Sequence, residues 1–278
     1  MENKKHLIAL DLDGTLLTNK QEISARTKQT IQTAMEEGHL VVISTGRPHR
    51  ASIHYYNELG LNSPMVNFNG ALIHHPQDRT WDFAMHTPMP LKTAHTIIDA
   101  CYDLEVHNIL AEVMDDVYLD NYSQEIIDIF HQTQKDRPYI IGNIKDKLEE
   151  DPTSVLIYPK KDHIESLRNH LDDYHAEIIE HRRWGAPWNI IEIIKKGINK
   201  AVGLQKIADY YGIPKERIIA FGDEDNDLEM IDYAGVGVAM GNAIDELKSV
   251  SKYQTLTNEQ DGIGVFLEEY LKIKVKTV

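Results

Sequence analysis

The sequence predicts an α/β protein whose parallel-sheet core is interrupted by an inserted α+β module. Strand-like and helix-like segments alternate at both ends of the chain, the middle loses that alternation, and acidic turns follow two of the apolar segments. Alternation of this kind is typical of a parallel sheet with helices on its faces. We therefore expect a discontinuous core domain of residues 1–83 and 190–278 and an inserted domain of residues 84–189.

The N-terminal segment alternates regularly. Gly38 and Gly60 end its two helical stretches, as glycine often does. The predicted elements, in order, are a strand at His6–Leu10, a helix at Ser24–Glu37, a strand at Leu40–Ser44, a helix at His49–Leu59 and a strand at Met65–Phe68.

The middle of the chain has more antiparallel character, with a hairpin expected around Asp115-Asp116. Its predicted helices are Leu91–Leu104, Gln124–His131 and Ile164–Tyr174, and its predicted strands are Ile109–Met114, Val117–Leu119, Val155–Tyr158, Glu177–Glu180 and Asn189–Ile194.

After Lys195 the alternation returns, which indicates that the chain re-enters the first domain. The predicted helices are Asn199–Tyr211, Asp227–Ala234, Ala243–Val250 and Gly262–Leu271, and the predicted strands are Arg217–Phe221 and Gly235–Met240.

Composition excludes several classes of function. Lys plus Arg number 29 and Asp plus Glu number 44, so the net charge of −15 argues against nucleic-acid and anionic-membrane partners. A single cysteine, Cys101, excludes an internal disulfide and any multi-thiolate metal site. The N-terminus has no signal-like apolar stretch, and no apolar run approaches the roughly 20 residues of a membrane span. We expect a cytoplasmic protein, and the sequence leaves the oligomeric state open.

Two acidic turns follow apolar strands. Asp11-Leu12-Asp13-Gly14-Thr15 comes after the first strand, and Gly222-Asp223-Glu224-Asp225-Asn226-Asp227 follows a strand near the other end of the chain. Open parallel sheets bind ligands at the carboxyl ends of their strands, so these turns are expected to meet there. Clustered carboxylates are electrostatically costly unless a cation neutralises them, and hard oxygen ligands suit Mg²⁺.

Other segments supply groups that suit a phosphate. Ser44 and Thr45 follow the second strand with hydroxyls and amides, and Lys200 lies at the start of a helix. A metal, a lysine, a hydroxyl and a carboxylate nucleophile together make up a set for phosphoryl transfer.

These residues resemble the four motifs of the haloacid dehalogenase (HAD) superfamily. The matching segments, in order, are Asp11-Leu12-Asp13-Gly14-Thr15, Ser44-Thr45-Gly46-Arg47, Lys196-Gly197-Ile198-Asn199-Lys200 and Gly222-Asp223-Glu224-Asp225-Asn226-Asp227. The large insertion between the second and third motifs resembles the Cof-type branch, subfamily IIB, whose phosphatases carry an α/β cap. Gly241-Asn242-Ala243 and Asp261-Gly262-Ile263 extend the likeness toward the C-terminus. The resemblance implies a Rossmann-like core and a Cof-type cap.

The resemblance also implies roles for single residues. Asp11 is expected to be the nucleophile and Asp13 the acid and base, with Thr45 and Lys200 as the other catalytic residues. Mg²⁺ is expected on Asp11, the backbone carbonyl of Asp13 and Asp223, with Asp227 close by. The expected phosphate and substrate contacts are Leu12, Ser44, Thr45, Gly46, Arg47, Lys200 and Asn226. Lys195 and Lys196 leave open which lysine faces the site.

The implied function is a Mg²⁺-dependent phosphatase acting through an aspartyl-phosphate on small phosphorylated metabolites, such as sugar phosphates or nucleotide-type cofactors. Asp13 favours a phosphatase because ion-pumping relatives carry threonine at that position. A phosphotransferase or phosphomutase on sugar phosphates, and a metabolite-binding sensor without turnover, are the alternatives.

Structural explanations compete with these roles at several positions. Asp227 is also explained by helix capping, and Arg47 by pairing with surface acids. Asn69-Gly70 is typical of a turn, with a smaller chance that Asn69 borders the pocket, and Cys101 is expected to be a small core residue.

Overall fold

The computed structural model describes residues 5–104, 106–130, 138–183 and 190–274. Their contacts form two compact units. The first combines the residues up to 47, residues 52–85 and the residues from 199 onward; the second combines residues 48–51 and 86–198. The boundaries expected at residues 84 and 189 stay a prediction. Two predicted ends lie outside the described residues. They are residue 189, the predicted start of a strand, and His131, the predicted end of a helix.

The N-terminal segment contains four strands and two α-helices. The strands are β1 (Leu7–Leu10), β2 (Leu40–Ile43), β3 (Met65–Asn67) and β4 (Leu72–His74), and the helices are α1 (Ala25–Glu36) and α2 (Ile53–Leu59). Ser24 caps α1, because its hydroxyl accepts the N–H of Thr27. The single helix predicted at His49–Leu59 is wrong in its first turn, which is a separate 3₁₀ turn at His49–Ala51.

Within its described residues, the middle segment contains seven strands and four α-helices. The strands are β5 (Met85–His86), β6 (Asn108–Val113), β7 (Asp116–Leu119), β8 (Ile140–Ile141), β9 (Ser154–Tyr158), β10 (Ile179–Arg183) and β11 (Ile191–Lys195). The helices are α3 (Leu91–Asp103), α4 (Gln124–Phe130), α5 (Ile144–Lys147) and α6 (Ile164–His175).

The C-terminal segment returns to alternation. Its helices are α7 (Lys200–Tyr210), α8 (Leu228–Tyr233), α9 (Asp245–Val250) and α10 (Gly262–Leu271), and its strands are β12 (Ile218–Gly222), β13 (Val236–Ala239) and β14 (Tyr253–Gln254).

A five-stranded parallel sheet forms the centre of the first unit, in the order β14-β13-β12-β1-β2. All four residues of β1 are buried and apolar, which suits a central strand covered on both faces. Leu10 lies opposite both Phe221 and Ile43, so the chain leaves three neighbouring strands at the same edge. Asp11, Asp223 and Ser44 therefore come together there, and the predicted α/β class is confirmed.

The second unit contains a mostly antiparallel sheet in the order β10-β11-β9-β6-β7-β8. Along β6, Ile109 packs with α3 and α6, whereas Leu110 belongs to a separate cluster with Ile126 of α4. Both faces of this strand thus bury apolar side chains, each worth roughly 1.5–3 kcal/mol. The predicted hairpin between β6 and β7 is confirmed, with a turn at Met114 and Asp115.

Candidate active site

The first acidic turn folds tightly after β1. Residues Leu12–Leu16 form one π-helical turn in which Gly14 adopts a φ of 73°, a conformation that glycine tolerates best. A Cβ on Gly14 would lie 2.1 Å from Oδ2 of Asp223. Glycine is therefore needed here, because only a residue without a side chain lets the second acidic turn approach so closely.

Lys200 joins the two turns. Its Nζ donates hydrogen bonds of 2.7 Å to Oδ1 of Asp11 and of 2.7 Å to Oδ1 of Asp227. The side chains of Lys200 and Asp227 are 0% exposed. Burial alone would lower the pKa of the Lys200 ammonium, but the two carboxylates outweigh it and raise that pKa. The lysine is thus held charged, although it begins α7, where a helix end disfavours a cation.

The second turn is ordered by its own carboxylates. Oδ2 of Asp227 accepts the backbone N–H groups of Asp223 at 3.0 Å and of Glu224 at 3.2 Å. Thr15 donates its hydroxyl to Oδ1 of Asp223 at 2.7 Å. One carboxylate oxygen of Asp227 thus organises the second turn and the other holds Lys200, while its side chain makes no capping hydrogen bond to α8.

Three buried carboxylates cluster at this site, and two of them contact Lys200. Oxygens of Asp11, Asp223 and Asp227 all lie within 4.8 Å of one another. Burial and the neighbouring carboxylates raise the pKa of Asp11 to about 7 and that of Asp223 to about 8. One ammonium does not balance three carboxylates, so the donor set fits a divalent cation with oxygen ligands.

Asp13 is held apart from this cluster. Arg47 donates from Nε to Oδ2 of Asp13 at 2.7 Å and from Nη2 to Oδ1 at 2.5 Å, and it also contacts Gln21. Burial alone would raise the pKa of Asp13, but the paired guanidinium outweighs it and lowers that pKa. Of the two alternatives for Arg47, the structure shows pairing with an acid, and that acid is the predicted general acid and base.

The remaining predicted residues lie along the end of β2 and in the second turn. Thr45 is buried, and its hydroxyl accepts the N–H of Arg47 at 3.1 Å. Ser44 is also buried, and its Oγ has no hydrogen-bond partner within the described part of the chain. Leu12 packs in the hydrophobic core, so a phosphate contact from this residue has to come from its backbone.

Asn69 lies closer to the predicted phosphate site than the turn expected at Asn69-Gly70 would indicate. It is buried at a φ of 52°, and its Oδ1 accepts the side-chain N–H of Asn226 at 3.0 Å. Its own backbone N–H donates to the carbonyl of Thr45 at 3.1 Å, and its side chain lies beside Gly46. Asn-Gly after a strand was the available signal, and the structure shows that Asn69 borders the residues predicted to bind phosphate.

The structure shows the partners of two of the lysines. Lys196 donates its Nζ to the carbonyl of Ala176 at 2.7 Å, whereas Lys200 contacts Asp11. Lys200 is therefore the lysine beside the predicted nucleophile.

Comparison with known proteins decides the family. The sequence model of the haloacid dehalogenase-like hydrolases matches residues 8–267, which include both acidic turns and Lys200. The chain belongs to the haloacid dehalogenase-like hydrolases. The enzyme class expected from the sequence, a phosphatase of this superfamily, is confirmed. The expected Cof-type fold agrees with that of a subclass IIB sugar phosphatase, which superposes with a TM-score of 0.82 at 20% identity. Hydrolases of this family use a divalent metal, which agrees with the buried acidic cluster.

Relatives match this hydrolase over nearly its whole length. It is 54% identical over 273 residues to the 5-amino-6-(5-phospho-D-ribitylamino)uracil phosphatase YitU of Bacillus subtilis, covering 98% of this chain and 100% of the relative. It is 28% identical to the pyridoxal phosphate phosphatase YbhA of Escherichia coli, covering 95% and 98% of the two chains. The crystal structure of a haloacid dehalogenase-like hydrolase from Bacteroides thetaiotaomicron superposes with a TM-score of 0.83 at 26% identity, covering 96% of this chain and 100% of that one. Among the described helices, none is both long and apolar enough to cross a membrane.

Proposed function

We propose that this protein is a Mg²⁺-dependent phosphatase that hydrolyses a small phosphorylated metabolite through an aspartyl-phosphate on Asp11. The observation that carries the proposal is the position of Asp11, buried at the edge of the sheet and hydrogen-bonded to Lys200. Asp223 and Asp227 are also buried, and each has a carboxylate oxygen within 4.8 Å of one on Asp11, so a single divalent cation could contact all three. A cytoplasmic location, expected from the single cysteine, is part of the proposal.

The proposed substrate is a phosphate monoester of the type named for YitU, in which a phosphorylated ribityl chain is joined to a pyrimidine. Identity of 54% over the full length of that relative supports this choice. Sugar phosphates and nucleotide-type cofactors form the wider class to be tested beside it.

Asp11 and Asp13 divide the proposed chemistry. The Asp11 carboxylate attacks phosphorus, the bond from phosphorus to the leaving oxygen breaks, and Asp13 delivers a proton to that oxygen. Asp13 then takes a proton from the water that attacks the aspartyl-phosphate, which releases inorganic phosphate and frees Asp11. When bound, a divalent cation neutralises charge on the phosphoryl oxygens, and Asp11, Asp223 and the Asp13 carbonyl are the groups proposed to hold it, with Asp227 nearby.

Arg47 explains how an aspartate with a lowered pKa can deliver a proton. In the structure both Asp13 oxygens accept from the guanidinium. A substrate phosphate that draws the Arg47 N–H groups away removes this stabilisation and raises the pKa of Asp13. Protonation of Asp13 is then favoured when substrate is bound. Thr45, Asn226 and the backbone around Gly46 are the proposed partners of the remaining phosphate oxygens.

The test is phosphate release from a panel of phosphate monoesters, with Mg²⁺ and with a chelator. The panel contains the phosphoribitylamino-uracil, pyridoxal phosphate and several sugar phosphates. Mg²⁺-stimulated release, fastest with the first compound, is expected. A phosphorylated sugar acceptor in place of free phosphate would establish the phosphotransferase alternative. Binding without turnover across the panel would establish the sensor alternative.

A further inference from the structure

The Gly241-Asn242-Ala243 segment lies between β13 and α9 and has no role in the reaction described so far. Nδ2 of Asn242 donates to the carbonyl oxygen of Gly14 at 2.8 Å and lies 3.4 Å from Oδ2 of Asp223. One amide group thus contacts both acidic turns, although residues 14 and 242 are far apart in sequence.

Asn242 is itself held in one orientation. Its Oδ1 accepts the backbone N–H of Asn258 at 3.1 Å. One end of the Asn242 amide faces two oxygen atoms and the other end faces an N–H group. Its nitrogen and oxygen can therefore be assigned in one way only. Asn258 is buried and donates its own side chain to the carbonyl of Leu17 at 2.9 Å. Asn242 and Asn258 therefore bind one carbonyl within the first turn and one just after it.

The contacts of Asp223 show what this arrangement achieves. Thr15 donates to Oδ1 of Asp223, and Nδ2 of Asn242 lies 3.4 Å from Oδ2. The Gly14 carbonyl oxygen and Oδ2 of Asp223 thus share the amide group of Asn242 as a donor. With both oxygens held, the carboxylate has a fixed direction and each oxygen keeps a lone pair for a cation.

We infer that Asn242 is a positioning residue that sets the orientation of Asp223 relative to the Asp11–Thr15 turn and thereby the affinity of the site for its divalent cation. The inferred effect of Asn242 on cation affinity rests on the proposed function. Asn242 is exposed, so its effect acts through Asp223 and the Gly14 carbonyl and not through the packing of the core.

The test compares Asn242→Ala with the wild-type protein in a titration with Mg²⁺ alone, read by thermal stabilisation without substrate. Groups that orient metal ligands typically contribute 10- to 100-fold to metal affinity, so the Mg²⁺ concentration for half-maximal stabilisation is expected to rise by about tenfold. The melting temperature without metal is expected to change by less than about 2 °C, since an exposed polar group is removed. Asn62→Ala is the matched control, because Asn62 is also exposed and lies near the opposite end of β2.

Two results would overturn the inference. One is an unchanged Mg²⁺ midpoint in Asn242→Ala, and the other is a lowered metal-free melting temperature that accounts for the whole effect. In a second readout, kcat at subsaturating Mg²⁺ is expected to fall and to recover at saturating Mg²⁺, with KM for the substrate unchanged. Absence of hydrolysis by the wild type would contradict the proposed function, while the titration with Mg²⁺ alone would still judge the role of Asn242.

Discussion

The two units each contain a buried ion pair, and the pairs differ in charge balance. In the first unit Lys200 is shared by Asp11 and Asp227, with Asp223 close by. In the second unit Arg50 pairs with Glu112, whose other oxygen accepts the Ser154 hydroxyl at 2.8 Å, and the two charged side chains are 8% and 5% exposed. One cation meets one anion in the second unit, whereas the first has a surplus of negative charge.

This difference in charge balance indicates which of the two ion pairs requires a further cation. In a balanced buried pair the two charges compensate each other, so no further cation is required. A surplus of buried carboxylates is tolerated only if protons or a cation compensate it, which the raised pKa values of Asp11 and Asp223 reflect. The comparison therefore supports the proposal that the chemistry takes place at the edge of the parallel sheet.

The largest expected effect follows from removing the proposed nucleophile. Asp11→Asn should lower kcat by at least about 10⁴-fold, because the amide cannot form the phosphorylated intermediate. Steady-state phosphate release measures this. The melting temperature without metal should not fall, since one of three crowded carboxylates is removed, and substantial activity in this variant would contradict the role of Asp11.

The next largest effect on turnover is expected at Asp13, the carboxylate that pairs with Arg47. Asp13→Asn should lower kcat by about 10²–10⁴-fold, the range of general acid–base catalysis, while Mg²⁺ and substrate still bind. Kinetics combined with a Mg²⁺ titration separate the two roles. A drop of less than tenfold would rule out acid–base catalysis by Asp13, and loss of Mg²⁺ binding would show that it acts chiefly in holding the metal.

The charge comparison is tested by a matched pair of variants. Lys200→Met and Arg50→Met each leave buried carboxylate without its cation, which costs about 3–5 kcal/mol of unfolding free energy. Mg²⁺ should restore stability to Lys200→Met but not to Arg50→Met, because among the described residues a cluster of carboxylates that a divalent cation can bridge is found in the first unit alone. Thermal unfolding with and without Mg²⁺ measures both, and equal responses of the two variants would refute the distinction.

The smallest effect is expected at Cys101, which packs among apolar residues of the second unit. Burial raises the pKa of its thiol, so it stays protonated and takes no part in the chemistry. Cys101→Ala should lower the unfolding free energy by about 1–2 kcal/mol and leave kcat unchanged. A variant with normal stability but reduced turnover would show a role that the structure does not indicate.

Patterns in the sequence predicted the layout of the first unit well. β1, β2 and β12 are short apolar runs, and the acidic and hydroxyl residues that follow them meet because parallel strands end at one edge. Short elements were missed, such as β4, β8 and β14, because two or three residues carry too little periodicity to be recognised.

Contacts between residues that are distant in sequence were not predicted either. The pairing of Arg47 with Asp13 and of Arg50 with Glu112 depends on how separate segments approach, and local patterning does not encode that approach. The left-handed backbone of Asn69 is similar, since Asn-Gly predicts a turn but not its burial beside Thr45. The position of Asn242 between the two acidic turns could be seen only in three dimensions.

The central claim is that Asp11 carries the phosphoryl group during turnover. It is tested most directly by stopping the reaction with acid in the steady state and locating the added phosphoryl mass by peptide mass spectrometry. The account predicts this mass on Asp11 of the wild type and its absence from Asp11→Asn. Turnover at the full rate with the mass on another residue would contradict it.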